Sequence, residues 1–187
     1  MPPGGRSKIG LRLALAATLM AVAPAAGSQS PKDAAPLEYA VKATYLYKFA
    51  PFVSWRSGAS GPFNICIVGA DPFGPVIENA VAGQRIGRRP VIVRRVPIAA
   101  KGMGCQVLYF GGAPDQTAGE ALAAVRGEPV LTVTDAARNP DASGMIHFWV
   151  SGGRVRFEIN SAAATAAGLS ISSKLLALNA KAPKGRS

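Results

Sequence analysis

The stretch Phe63–Val96, FNICIVGADPFGPVIENAVAGQRIGRRPVIVRRV, decides the fold. It opens with FNICIV (Phe63–Val68), a β-rich run held between Pro62 and Gly69, which reads as a strand. Asp71–Ala82 then reads as a loop and a helix, with Asp71 as N-cap ahead of Pro72 and Gly83 as the close. Gln84–Arg89 is a basic turn, and PVIVRRV (Pro90–Val96) is a second strand. Working downstream, the glycine-bearing loop Ile98–Gly104 leads to a third strand, CQVLYF (Cys105–Phe110). Thr117–Arg126 is an alanine-rich helix ended by Gly127, and VLTVT (Val130–Thr134) is a fourth strand. MIHFWVS (Met145–Ser151) and RVRFEIN (Arg154–Asn160) are joined by Gly152–Gly153, a strong hairpin signal. In the second of these, Val155, Phe157 and Ile159 alternate with Arg154, Arg156 and Glu158, so one face is apolar and the other meets water. Ser161–Ala167 and Ser170–Leu178 read as helices separated by Gly168.

Upstream, Pro36–Val53 reads as a helix. Leu37, Val41, Tyr45, Phe49 and Phe52 recur at three- and four-residue spacing and make one apolar stripe. Pro36 suits a first-turn position, and Pro51 should end or bend the helix. Strands alternate with helices early, and the late part is a hairpin. The expectation is an α/β fold: a mixed sheet of about six strands flanked by helices, in a single compact domain over residues 36–180.

The first 27 residues read as a signal peptide. Arg6, Lys8 and Arg12 make a basic start, Leu13–Ala26 is uncharged and apolar, and Ala23, Ala25 and Ala26 give a small-residue exit. A membrane span needs about 20 apolar residues, and Pro24 interrupts this run near its end. Residues 28–35 read as a flexible lead-in and residues 181–187 as a basic, disordered tail. Removing the signal lowers the formal charge from +11 to +8, since it carries three basic residues. Export and the lack of a basic stripe interleaved with aromatics both argue against nucleic acid.

The residues offer no catalytic set. The loop Val68–Gly74 sits where phosphate-binding loops sit, but it lacks the G-x-G-x-x-G pattern, and Pro72 removes an amide. His147 is the only histidine, which leaves little room for a triad or a metal site. Asp71, Asp135 and Asp141 lie at loop ends, where aspartates form caps and turns. A polar pocket around Asp135, Asp141 and His147 would reopen an enzymatic reading. No cofactor and no metal are expected. There are two cysteines, Cys66 and Cys105. Outside the cytoplasm they read as a disulfide, with two separate buried thiols as the other reading. The densest basic cluster, Arg85, Arg88, Arg89, Arg94 and Arg95, is either solvated surface or a site for an anionic ligand.

Four segments carry a resemblance to the YfiR family (DUF4154, HmsC-like). They are YAVKATYLYKFAPFVSW (Tyr39–Trp55), FNICIVGADPFG (Phe63–Gly74), CQVLYF (Cys105–Phe110) and GRVRFEINSAAATAAGLSISSKLLALN (Gly153–Asn179). The resemblance implies a periplasmic protein that represses an inner-membrane diguanylate cyclase through the cyclase's periplasmic sensor domain. Cyclic-di-GMP and biofilm formation would fall. It also implies an outer-membrane lipoprotein that sequesters the repressor, a mixed α/β fold and frequent dimerisation. Cys66 and Cys105 match the family's first disulfide in motif position. Its second would fall between Asp135 and Ile146, where this chain has no cysteine. A partner would meet an apolar patch with a polar rim, here the aromatic helix (Tyr39, Tyr45, Tyr47, Phe52, Trp55) and the last helix. The rival reading is a small-ligand sensor feeding another membrane signalling partner, with the arginine cluster or the Gly69–Gly74 loop as its site.

Overall fold

The computed structural model describes residues 31–55 and 60–180, with side chains from Leu37 onward. The expected signal peptide and basic tail lie outside the described residues. The α/β domain is built on a seven-stranded mixed sheet whose spatial order is β3, β4, β2, β5, β6, β7, β8. These strands are β2 (Phe63–Gly69), β3 (Arg85–Ile86), β4 (Arg89–Val96), β5 (Val107–Gly112), β6 (Leu131–Asp135), β7 (Ile146–Ser151) and β8 (Arg154–Ile159). The five strands from β4 to β7 run parallel, and β3 and β8 are antiparallel edges. A second sheet pairs β1 (Val53–Trp55) with β9 (Leu169–Ile171). The helices are α1 (Pro31–Lys48), α2 (Pro75–Val81), α3 (Ala118–Ala124), α4 (Ser161–Ala166) and α5 (Ser173–Leu176).

Strand alternation splits the core in two. Ile65, Ile67, Val107, Tyr109, Leu131, Val133, Ile146 and Phe148 face α1 and α2, where Ala43, Leu46, Phe49 and Ile77 meet them. Cys66, Val68, Leu108 and Phe110 face α3, through Ala118, Ala121 and Val125. The Cys66–Cys105 disulfide lies in this second core, with 5.8 Å between its Cα atoms. It closes a loop of 39 positions, a constraint on the unfolded chain of about 4 kcal/mol in the chain-entropy model.

The structure moves several expected boundaries. Helix α1 begins at Pro31 and takes in residues read as lead-in. Pro31 and Pro36 both suit a first turn, and the earlier one opens the helix. The helix ends at Lys48 because Pro51 cannot continue the backbone ladder. Ala50–Phe52 forms one 3-10 turn, and Val53 enters β1. Asp71 does not cap α2. Its Oδ1 accepts from the Phe73 amide at 2.7 Å, closing an Asx turn, and the helix starts at Pro75. Ser170 and Ile171, expected in the last helix, belong instead to β9 with Leu169, and α5 starts only after the N-cap Ser172.

Candidate functional site

In doubly wound sheets a ligand crevice opens at the carboxyl ends of neighbouring strands whose connections leave to opposite faces. Here those strands are β2 and β5, since α2 packs on one face and α3 on the other. Backbone fills the place. The Ala70 amide donates to the Gly112 carbonyl at 2.6 Å. A Cβ on Gly111 would stand 1.8 Å from the Ala70 oxygen, and one on Gly69 would stand 2.1 Å from the Gly112 oxygen. Gly69 also has φ +73°, a left-handed conformation that other residues rarely adopt. The Gly69–Gly74 loop proposed for a ligand is therefore zipped to its neighbour at its first residues.

Beside this seal lies a charged network that the sequence reading missed. Lys42 of α1 is fully buried, and its Nζ is 2.5 Å from Asp135 Oδ2 at the end of β6. Lys42 also bonds Glu38, one turn earlier. Asp135 Oδ1 accepts from the Ala137 amide at 3.1 Å, and Oδ2 accepts from the Tyr109 hydroxyl at 3.3 Å. Burial, helped by the Asp135 charge, pushes the Tyr109 hydroxyl well up, so it serves as a donor. The rings of Tyr109, Phe73 and Tyr39 then continue edge to face, with centroids 4.7 and 5.9 Å apart. Arg138 and Lys42 sit over the Tyr39 ring at 5.6 and 5.3 Å. Arg138 donates to the Gly111 carbonyl at 3.1 Å, and Asn139 Nδ2 donates to the Phe110 carbonyl at 2.9 Å. The network fixes α1 and the β6–β7 loop to the carboxyl end of the sheet. A buried pair of this kind costs desolvation to form but far more to break.

The residues that could have reopened an enzymatic reading do not converge. Thr134 pairs with His147 and Asp135 pairs with Phe148 across β6 and β7, so Asp135 and His147 point to opposite faces. His147 Nδ1 is 2.8 Å from the Thr134 hydroxyl, which itself accepts from the Gly144 amide at 2.8 Å. Burial lowers the His147 pKa. Asp141 is exposed. Among the described residues no group of His, Cys, Asp and Glu could hold a metal ion.

The five arginines are spread over the β3–β4 edge. Arg95 bonds Asp71 and Glu78, at 2.6 and 2.5 Å, and holds the Glu78 carboxyl below its ordinary range. Arg89 donates to the carbonyls of Gly61 and Pro62 and to Gln106, and Arg94 donates to the Met103 carbonyl. Arg85 bonds the Arg88 carbonyl. Arg94 and Arg95 are consecutive strand residues and point to opposite faces.

The five aromatics are half-buried against the main core. Tyr45 stacks on Phe49 at 5.5 Å, and Trp55 meets Phe63 edge-on at 5.3 Å. The expected apolar stripe of α1 is partly displaced. The fully buried row runs through Ala43, Leu46 and Phe49, whereas Leu37 is 61% exposed and Val41 and Tyr45 are half-buried. That second row forms one wall of a groove of about 550 Å³, and Val150 and Val155 of the β7–β8 hairpin form the other.

Among the described residues no helix is long and apolar enough to cross a membrane. A comparison with curated proteins finds no match. Residues 39–180, nearly all of the described domain, match the YfiR/HmsC-like family, and the chain belongs to it.

Proposed function

We propose that this protein is a periplasmic regulator that binds the periplasmic sensor domain of an inner-membrane diguanylate cyclase. It would hold the cyclase off and so lower cyclic-di-GMP and biofilm formation. The family match over residues 39–180 supports this reading. YfiR/HmsC-like proteins are regulatory and periplasmic, and they act without catalysis. The protein binds the inactive state of the cyclase better than the active one and shifts its population. Turning the enzyme from mostly on to mostly off takes several kcal/mol of differential affinity. An outer-membrane lipoprotein that binds the regulator would relieve the repression, and a homodimer is the working form the family suggests.

Cells lacking the protein test the proposal. Cyclic-di-GMP rises and surface attachment increases when the gene is removed, and both return when it is restored. A level unchanged by removal across growth conditions sinks the reading.

A further inference from the structure

The outer groove between α1 and β8 is open, apolar and basic at its rim. Leu37, Val41 and Tyr45 face Val150 and Val155 across about 550 Å³. Leu37 and Val150 are 61% and 45% exposed, a large apolar exposure for two residues of one groove. Arg154 and Arg156 border the groove at its rim, their side chains turned by the strand's alternation to the other face of β8, are exposed, and make no hydrogen bond or ion pair among the described residues. The acid that lines it, Glu38, is already bonded to Lys42. The groove is thus left with uncompensated positive charge.

The groove runs along a half-used sheet edge. Toward its end, β8 is covered by the chain itself. The Phe157 carbonyl accepts from the Ala180 amide at 3.1 Å, and the Ile159 amide donates to Asn179 Oδ1 at 2.8 Å. Outward backbone groups on β8 therefore belong to the odd-numbered residues, and the next in that series is Val155. Its N–H and C=O are unused among the described residues. An edge with free backbone groups is a template for one more strand.

We propose that this groove receives an extended segment of a protein partner in which apolar and acidic residues alternate. The segment adds to β8 at Val155. Its apolar side chains enter the groove, and its acidic ones lie on the opposite face beside Arg154 and Arg156. The period of two follows from strand geometry, and the acidic character follows from charge complementarity. A second copy of this chain is a poor occupant. Two-fold pairing about Val155 sets Arg154 directly opposite the other copy's Arg156, and like charges so placed are destabilising. The proposal rests on the reading that the protein works by binding a protein partner.

The test titrates the purified, isotope-labelled protein with an octapeptide of alternating valine and glutamate. A version with lysine for glutamate is the control. The expected result is saturable amide shifts centred on Val155 and the Leu37–Tyr45 face with the acidic peptide only. Arg154→Glu with Arg156→Glu weakens that binding about tenfold and leaves the fold intact. Equal binding of both peptides, shifts elsewhere, or none at millimolar peptide overturns the proposal. The same double variant in cells separates the two readings. If removing the gene raises cyclic-di-GMP but the double variant represses like the parent, the groove fails alone. If removing the gene changes nothing, the regulatory reading fails and the titration still judges the groove.

Discussion

The carboxyl end of the central strands and the outer edge at β8 differ in one respect that matters. At the first, backbone packs on backbone, and the neighbouring charges find partners inside the molecule. At the second, Leu37 and Val150 stay exposed along an open groove, and the two arginines at its rim make no hydrogen bond or ion pair among the described residues. Proteins of this sheet type use the first place for a small ligand. Here that place holds the fold together, and the surface able to take a partner lies at the sheet's margin. The comparison teaches that architecture alone points to an end of the sheet that backbone already fills. The distribution of unused bonding capacity points to the β8 edge instead.

Three tests put pressure on this contrast. The largest effect belongs to Gly111→Ala. Its Cβ would lie 1.8 Å from a main-chain oxygen that cannot step aside. An overlap this deep goes beyond ordinary overpacking and belongs with the rare losses above about 5 kcal/mol, read as a lower urea midpoint. A midpoint within error of the parent would mean that the seal is not tight.

Next is Lys42→Met, which leaves Asp135 buried without its cation. The expected loss is about 3–5 kcal/mol. Adding Asp135→Asn removes the stranded charge and should restore most of it, so the pair are read as a double-mutant cycle. Additive losses would show that the two side chains do not act as a unit.

The smallest effect belongs to Leu37→Ser in the groove wall, where the side chain is already 61% exposed. Stability should change by less than about 0.5 kcal/mol, while binding of the acidic peptide weakens. A large loss of stability would make the groove part of the core after all and erase the contrast.

Much of the fold was legible because the six longer strands are β-rich runs, each with a proline or glycine at or near its start, and the hairpin announces itself with Gly152–Gly153. Both of those glycines have positive φ, as the tight turn requires. What escaped did so for physical reasons. Strands β1 and β9 are three residues each, too short for periodicity to register. Helix α1 carries two apolar rows, and sequence spacing cannot tell which meets the sheet. The Lys42–Asp135 pair joins positions 93 residues apart, so nothing local signals it. Most partners of the arginine cluster are carbonyl oxygens, which a sequence does not display, so spacing alone could not say how much of its charge is already used. The disulfide was legible from cysteine count and compartment.

The disulfide has one more consequence. It joins β2 to the segment entering β5, while the Ala70 amide ties the same two strands together at their far end. The two central strands are thus tied twice, once from the middle of β2 and once just past its end, and drawing them apart means breaking both ties. The β8 edge lies three strands from β5, so a segment added there as proposed would meet neither tie.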